Sequence, residues 1–142
     1  MIKNLSITSE LGQLKKSAVH KLVNAIKNDL NFKIADLTIN FIHSDKLLEL
    51  NRKHLKHNCP TDIITFNYSG SISNLDGEIY ISFDDAIINS KKYKVSLNNE
   101  LIRLVIHGIL HLLGYNDKTA SEKKIMKSLE NQLTYKNIFT LL

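Results

Sequence analysis

The spacing of apolar residues in the first half of the chain predicts two strands and two helices in alternation. Residues 2–7 are long enough for a short first strand. Apolar residues recur at helical spacing from Gln13 to Leu30, and Leu37 to His43 alternates as a half-buried strand does. Ser44 is a residue type that caps helices, so the leucines that follow it predict a second helix.

The second half of the chain predicts a hairpin followed by helices. Residues 62–68 and 78–82 are rich in β-branched and aromatic side chains, and we expect them to pair as antiparallel strands joined by a long polar loop. Helical spacing returns from Phe83 to Tyr93 and is strongest after Ser96. That helix is predicted to end at Gly114, because glycine enters the left-handed region without strain.

A last helix is predicted after Thr119, which forms a capping-box pattern with Glu122. Its expected buried stripe consists of Ile125, Met126, Leu129 and Leu133. Since helices and strands are mixed without strict alternation, the predicted fold class is α+β. We expect a single domain over residues 1–142, with a mixed, roughly four-stranded sheet packed by helices and a metal site on a late helix and the loop after it.

Length and composition indicate a cytoplasmic protein and argue against a membrane protein. The chain has 142 residues, of which 43% are hydrophobic and 23% are charged. It has no apolar run near the roughly 20 residues that a membrane span needs, and its N-terminus lacks the apolar core of a signal peptide. Cys59 is the sole cysteine, so no internal disulfide can form, as is usual in a reducing compartment.

The charge balance favours a polyanionic partner. Lys and Arg total 19 against 14 Asp and Glu, which gives a formal net charge of +5. A basic excess of this size suits RNA as a partner. On charge alone, an ordinary solvated basic surface is an equal alternative.

His107 and His111 carry the pattern with the clearest chemistry. They stand four residues apart on the strongest predicted helix, so both imidazoles share one face. A chain turn at Gly114 then lets Asp117 supply a third ligand. Two histidines and one carboxylate leave a position open for water, as in catalytic zinc sites. Zinc suits imidazole ligands, with nickel, cobalt and manganese as alternatives, and chance packing is the alternative reading of the bare histidine pair.

Gly108 distinguishes this segment from the HExxH signature of metalloproteases. In that signature the position after the first histidine is a glutamate that acts as general base. Gly108 has no side chain, which argues against peptide hydrolysis. It would either leave room for a substrate or allow a close backbone approach.

Three segments together resemble one known family. HGILHLLGYND, at 107–117, resembles the HGxLHLxGxDH signature of the YbeY family, the metal-dependent endoribonucleases of bacterial rRNA maturation. LNRKHLKHNCPTDIITF, at 50–66, is similar to the family's LNxxYRxxDxPTDVLSF, and DGEIYIS, at 76–82, to its GDIxIS. Their order and spacing agree over essentially the whole chain. The resemblance implies a metal-dependent hydrolase that cuts RNA, with rRNA or ribosomal particles as partner.

The resemblance also identifies two departures. The family's third histidine ligand falls on Asp117, which we expect to bind the metal in its place. The alternative is a helix-entry carboxylate, with water or substrate completing the site. Leu55 stands where the family commonly has an arginine, and leucine cannot contact phosphate. The nearby cations Arg52, Lys53 and Lys56 are therefore predicted to bind substrate.

Two further residues of the second segment are candidates for catalysis. Histidine is the residue type that suits proton transfer near neutral pH, and His57 and Asp62 are predicted to orient substrate or to move protons. The alternatives are a solvated loop histidine and an aspartate that only fixes the turn before a strand. Two other functions compete with the endoribonuclease: a metallohydrolase of another substrate class, and a ribosome-associated RNA-binding protein whose metal is structural.

Overall fold

The computed structural model describes residues 2–55 and 61–142, without the side chain of Leu55. The strands are β1 (Leu5–Ser9), β2 (Lys33–Ile42), β3 (Ile63–Asn67) and β4 (Asn74–Ser82). The helices are α1 (Lys16–Leu30), α2 (Ser44–Leu50), α3 (Phe83–Lys92), α4 (Leu97–Leu112) and α5 (Ala120–Lys136). A short π-helical turn, Asn51–Leu55, extends α2.

The four strands form one mixed sheet in the order β1-β2-β4-β3. β1 pairs with β2 and β2 with β4 in parallel, while β3 and β4 form the predicted antiparallel pair. The α+β class and the four-stranded mixed sheet predicted from the sequence are therefore confirmed. β1 and β3 are the two edge strands, so a cleft beside β1 and a cleft beside β3 lie at opposite sides of the sheet.

Two strands are longer than the apolar pattern indicated. β2 begins at Lys33 and β4 at Asn74, and these two residues are paired in register. The early parts of both strands carry polar residues and an irregularity between Ile34 and Asp36, so the alternation that marks a strand is absent there. Backbone hydrogen bonds between β2 and β4 extend both strands into segments whose side chains do not alternate between apolar and polar.

Helix α4 lies against the sheet, and Gly108 is where it comes closest. A Cβ added at Gly108 would lie 2.9 and 3.0 Å from methyl carbons of Ile79 and 3.1 Å from one of Ile63. Of the two roles open to this glycine, the structure therefore shows the close approach: the residue faces the core and leaves no room for substrate. The core on this side includes Ile102, Val105, Ile106 and Ile109, all fully buried.

The prediction that Ser44 caps α2 is wrong. Ser44 is the first residue of the helix, and the N-cap residue His43 makes no side-chain cap. Instead, the carboxylate of Asp84 accepts a hydrogen bond from the Ser44 N–H at 2.8 Å. Asp84 belongs to the first turn of α3, so the cap is supplied from another element, which no local pattern reveals.

Helix α5 begins with the predicted capping box of Thr119 and Glu122. Its buried face differs from the predicted stripe: Met126 and Leu133 are buried, but Ile125 is 56% exposed. The face instead includes Glu130, which is buried to 3% exposure. The carboxylate of Glu130 contacts His107 and Arg103, which belong to the site described below.

None of the helices within residues 2–55 and 61–142 is both long and apolar enough to cross a membrane.

Candidate metal centre

The predicted ligands come together at the end of α4. The Nε2 atoms of His107 and His111 lie 3.0 Å apart on one face of the helix. Gly114 adopts a φ of +98° and turns the chain back, as predicted. This brings Oδ2 of Asp117 to 3.6 Å from His111 Nε2 and 3.9 Å from His107 Nε2. Across the described parts of the chain, these three residues form the group of ligand atoms that could hold a metal ion.

The three atoms form a triangle of the right size for one ion. A point equally distant from both Nε2 atoms and Oδ2 lies about 2 Å from each, within the roughly 2.0–2.2 Å of zinc bonds to nitrogen and oxygen. Borderline imidazole nitrogens and a hard carboxylate oxygen also suit a first-row divalent ion. The residues present therefore fit a single metal ion.

Glu130 fixes the orientation of the His107 ring. The ring Nδ1 donates a hydrogen bond to Oε1 of Glu130, whose carboxylate is buried on α5. A proton held on Nδ1 leaves the lone pair of Nε2 free on the side of His111 and Asp117. Such a carboxylate–histidine pair is the arrangement that orients metal-binding imidazoles in proteins.

His111 is kept neutral by its surroundings. Burial of the ring lowers the pKa of His111, and the nearby His107 lowers it further. A lowered pKa favours the unprotonated imidazole. Because only the unprotonated ring can bind a metal, this environment prepares His111 as a ligand near neutral pH.

Arg103 connects the histidine site to three carboxylates, of which Glu100 and Glu130 are buried. Its guanidinium donates two hydrogen bonds to Glu100, at 2.9 and 2.8 Å, and lies 3.5 Å from Glu130 and 3.8 Å from Asp62. Hydrogen bonding to Glu100 raises the pKa of Arg103, so the cation is permanent. One half-buried cation thus balances carboxylates from α4, α5 and the segment before β3.

Asp62 reaches the same cleft as the histidines. A cleft of about 330 Å³ is lined by Asp62 and the start of β3 on one side and by His107, His111 and Asp117 on the other. Asn89 donates a hydrogen bond to Oδ2 of Asp62 at 3.1 Å. Burial raises the pKa of Asp62, and the positive charge of Arg103 opposes part of that rise. The structure therefore places one predicted catalytic residue beside the ligand cluster.

Two of the three predicted phosphate contacts, Arg52 and Lys53, do not line this cleft. Arg52 and Lys53 are exposed in the π-helical turn and line a separate hollow with Asp45, Leu48 and Glu49. Lys56 and His57 lie outside the described residues, as does the side chain of Leu55.

Sequence reasoning missed the residues that support the ligands. Glu100 and Arg103 continue the His107–His111 spacing backwards along α4, and this polar line on an otherwise apolar helix was the available signal. Glu130 gave a weaker signal, because it interrupts the apolar stripe of α5. Their partners lie far away in the sequence, so spacing alone could not pair them.

Fold and site together define a small α+β protein with an open, metal-binding type of centre made of two histidines and one carboxylate. The family described as Endoribonuclease YbeY matches residues 2–137, and the chain belongs to that family.

Relatives of this family resemble the chain over most of its length. Endoribonuclease YbeY of Parabacteroides distasonis is 39% identical over 123 residues, which are 87% of this chain and 86% of that protein. Endoribonuclease YbeY of Azobacteroides pseudotrichonymphae is 38% identical over 128 residues, covering 89% and 91%. The solution structure of TM1509 from Thermotoga maritima is similar with a TM-score of 0.62 and 25% identity, covering 92% of this chain and 86% of that one.

Proposed function

We propose that the chain is a zinc-dependent endoribonuclease that cleaves rRNA during ribosome maturation in the cytoplasm, through one hydrolase domain of residues 1–142. One observation carries the proposal: two imidazole nitrogens and one carboxylate oxygen, all within 4.8 Å of one another, line an open cleft in a chain of this family. The relatives bear the name endoribonuclease, which gives the substrate class.

His107, His111 and Asp117 would hold the ion. When bound, zinc supplies a Lewis acid that polarises a phosphodiester oxygen and lowers the pKa of a bound water. Glu130 contributes by holding the proton of His107 on Nδ1, so that Nε2 stays available.

Asp62 is the proposed proton acceptor of the cleft. A raised pKa brings a carboxylate closer to the pH at which it can both accept and release a proton. Asn89 and Arg103 hold its Oδ2, so the side chain is positioned before substrate arrives. His57 is the second candidate for proton transfer, proposed on the family resemblance of its segment.

Phosphate groups of the RNA are proposed to meet the cations Arg52, Lys53 and Lys56, which precede the Thr61–Asp62 turn in sequence. The basic balance of the chain, +5, favours the approach of such a substrate.

Two observations disfavour the competing functions. Gly108 packs against Ile79 in the core, so the position that bears a general base in HExxH proteases faces away from the cleft. The carboxylate of Asp117 is 48% exposed, and the ligands line a cleft, whereas structural zinc sites are closed by four protein ligands.

The test combines metal content with RNA cleavage in wild type, His111→Ala and Asp117→Ala. We expect about one zinc per wild-type chain, and cleavage that a chelator abolishes and added zinc restores. Both variants should lose zinc and cleavage, while Asp36→Ala, which changes an exposed carboxylate away from the cleft, should retain both.

Circular dichroism during chelation separates the catalytic metal from a structural one. A catalytic ion leaves the fold in place when it is removed. Cleavage that continues unchanged in His111→Ala would refute the nuclease assignment. Zinc affinity that is unchanged in Asp117→Ala would remove Asp117 from the ligands.

A further inference from the structure

A second and larger cleft lies at the opposite edge of the sheet from the histidines. Its volume is about 760 Å³, and it is bounded by one face of α1, the residues just before β1 and the start of β2. β1 is one edge strand and β3, which borders the histidine cleft, is the other. The two clefts therefore occupy separate parts of the surface.

The second cleft concentrates positive charge. Lys3, Lys21, Lys27 and Lys33 line it, and no acidic side chain does. In the described parts of the chain, none of these four ammonium groups has a carboxylate within ion-pair distance. Four like charges in one concavity repel one another unless an anion binds between them. Of the four, Lys27 alone lies in the last turn of α1, where the helix dipole stabilises a cation.

His20 adds a polar group whose hydrogen bonding is incomplete. Its side chain lines the cleft and is only 8% exposed, and its Nδ1 is buried without a hydrogen-bond partner. Burial lowers the pKa of His20, which favours the neutral ring. A buried nitrogen without a partner is least costly when it carries no proton, so the neutral ring holds its proton on Nε2 and has one hydrogen-bond donor there.

We propose that this cleft binds the phosphate backbone of an RNA strand at a distance from the bond that is cut. The proposal rests on the proposed function, because it takes the nuclease substrate as its ligand. It adds a site that holds RNA independently of the metal centre, with four lysines and His20 as the contacts.

The spacing of the cations favours a chain of phosphates over a single anion. Lys21 and Lys27 are six residues apart on α1, which separates their backbones by about 9 Å along the helix axis. Lys3 and Lys33 add cations from other elements, and a cleft of about 760 Å³ has room for successive phosphates of one strand. The lining has no phenylalanine, tyrosine or tryptophan on which a base would stack, so recognition is expected to be independent of sequence.

The test compares two triple variants that remove the same charge from different places. Lys21→Gln/Lys27→Gln/Lys33→Gln alters the cleft, and Lys91→Gln/Lys92→Gln/Lys94→Gln alters an exposed cluster at the end of α3. Binding is measured by fluorescence anisotropy in chelator, so that no strand is cut, with RNAs of about 6 and about 40 nucleotides. Melting temperature checks that both variants fold.

For the long RNA, we expect the cleft variant to bind at least about tenfold more weakly than the control variant, with a salt slope smaller by about 2, since each lost phosphate contact removes about 0.7. Equal affinity of both variants for the long RNA would overturn the inference. So would tight binding of inorganic phosphate or a mononucleotide to the cleft that long RNA fails to displace.

Cleavage assays separate this inference from the proposed function. If wild type cuts neither RNA, the nuclease proposal fails, while the anisotropy result still decides whether the cleft binds RNA. If wild type cuts both, the cleft variant should cut the short RNA at the normal rate and the long RNA with a raised KM and an unchanged kcat. An unchanged KM for the long RNA would contradict the inference.

Discussion

Glu130 accepts a hydrogen bond from Nδ1 of His107, and this contact joins the last helix to the metal ligands on α4. We expect Glu130→Gln to weaken zinc binding by about 10- to 100-fold, as is usual when the partner of a ligating histidine is changed. Competition with a coloured chelator measures the affinity. Glu49→Gln, at an exposed position, is the matched control. Equal zinc affinity in Glu130→Gln and wild type would show that the contact does not orient the ring.

Arg103 is predicted to be essential for stability, because it is the cation shared by Glu100 and Glu130, both at most 3% exposed. Replacement by Met should lower the free energy of unfolding by about 3 kcal/mol, since two buried carboxylates lose their partner. Urea unfolding gives the value. Combining Arg103→Met with Glu100→Gln should cost less than the sum of the single changes. A loss below about 1 kcal/mol for Arg103→Met would contradict this account.

Gly108→Ala is predicted to destabilise the fold by about 1–3 kcal/mol through overpacking against Ile79 and Ile63. Gly12→Ala is the control, since a Cβ there would meet nothing within 4 Å and should change stability little. Thermal unfolding of the two variants makes the comparison. Adding Ile79→Val to Gly108→Ala removes one of the crowded methyl groups and should recover part of the loss. Similar stability of the two alanine variants would exclude a close helix–sheet approach at Gly108.

Asp84 gives a pH dependence with a definite sign. The hydrogen bond from the Ser44 N–H lowers the pKa of Asp84 below its ordinary value of 3.8. A lowered pKa in the folded state stabilises the protein above the unfolded value, and this contribution is lost as pH falls through the folded one. Wild type should therefore lose more stability than Asp84→Ala between neutral pH and pH 3.

At neutral pH, Asp84→Ala itself should cost about 1 kcal/mol, the usual cost of losing a helix cap. Asp84→Asn keeps a side-chain oxygen and should retain most of the cap without the acid dependence. Unfolding by urea at several pH values measures all three proteins. Parallel stability curves for wild type and Asp84→Ala across the acid range would contradict the assigned role.

The sequence predicted those parts of the site that follow from local spacing. His107 and His111 share a helix face because they are four residues apart, and Gly114 was recognisable as the turn that returns Asp117 to them. Asp62 was found only through the resemblance of its segment. The rRNA substrate, the identity of the metal and the cytoplasmic location remain predictions.

What the sequence did not predict depends on contacts between distant residues. From the sequence, Glu130 is typical of the solvated face of an amphipathic helix, but in the structure it is buried because α5 packs on α4. Asp84 caps α2 from forty residues away. The first residues of β2 and β4 are strand only because they pair with each other. In each case the stabilising partner lies too far away along the sequence to be recognised from the neighbouring residues.

The dependence of His107 on Glu130 also sets an order of events during synthesis. Helix α5 follows all other helices and strands of the described chain, so both histidines are made before their orienting carboxylate exists. A nascent chain that ends before residue 130 would carry the ligands without the contact that aligns them. The metal site of the proposed nuclease would then lack its orienting carboxylate while the chain is still being translated, close to the ribosomal RNA that it is proposed to cut.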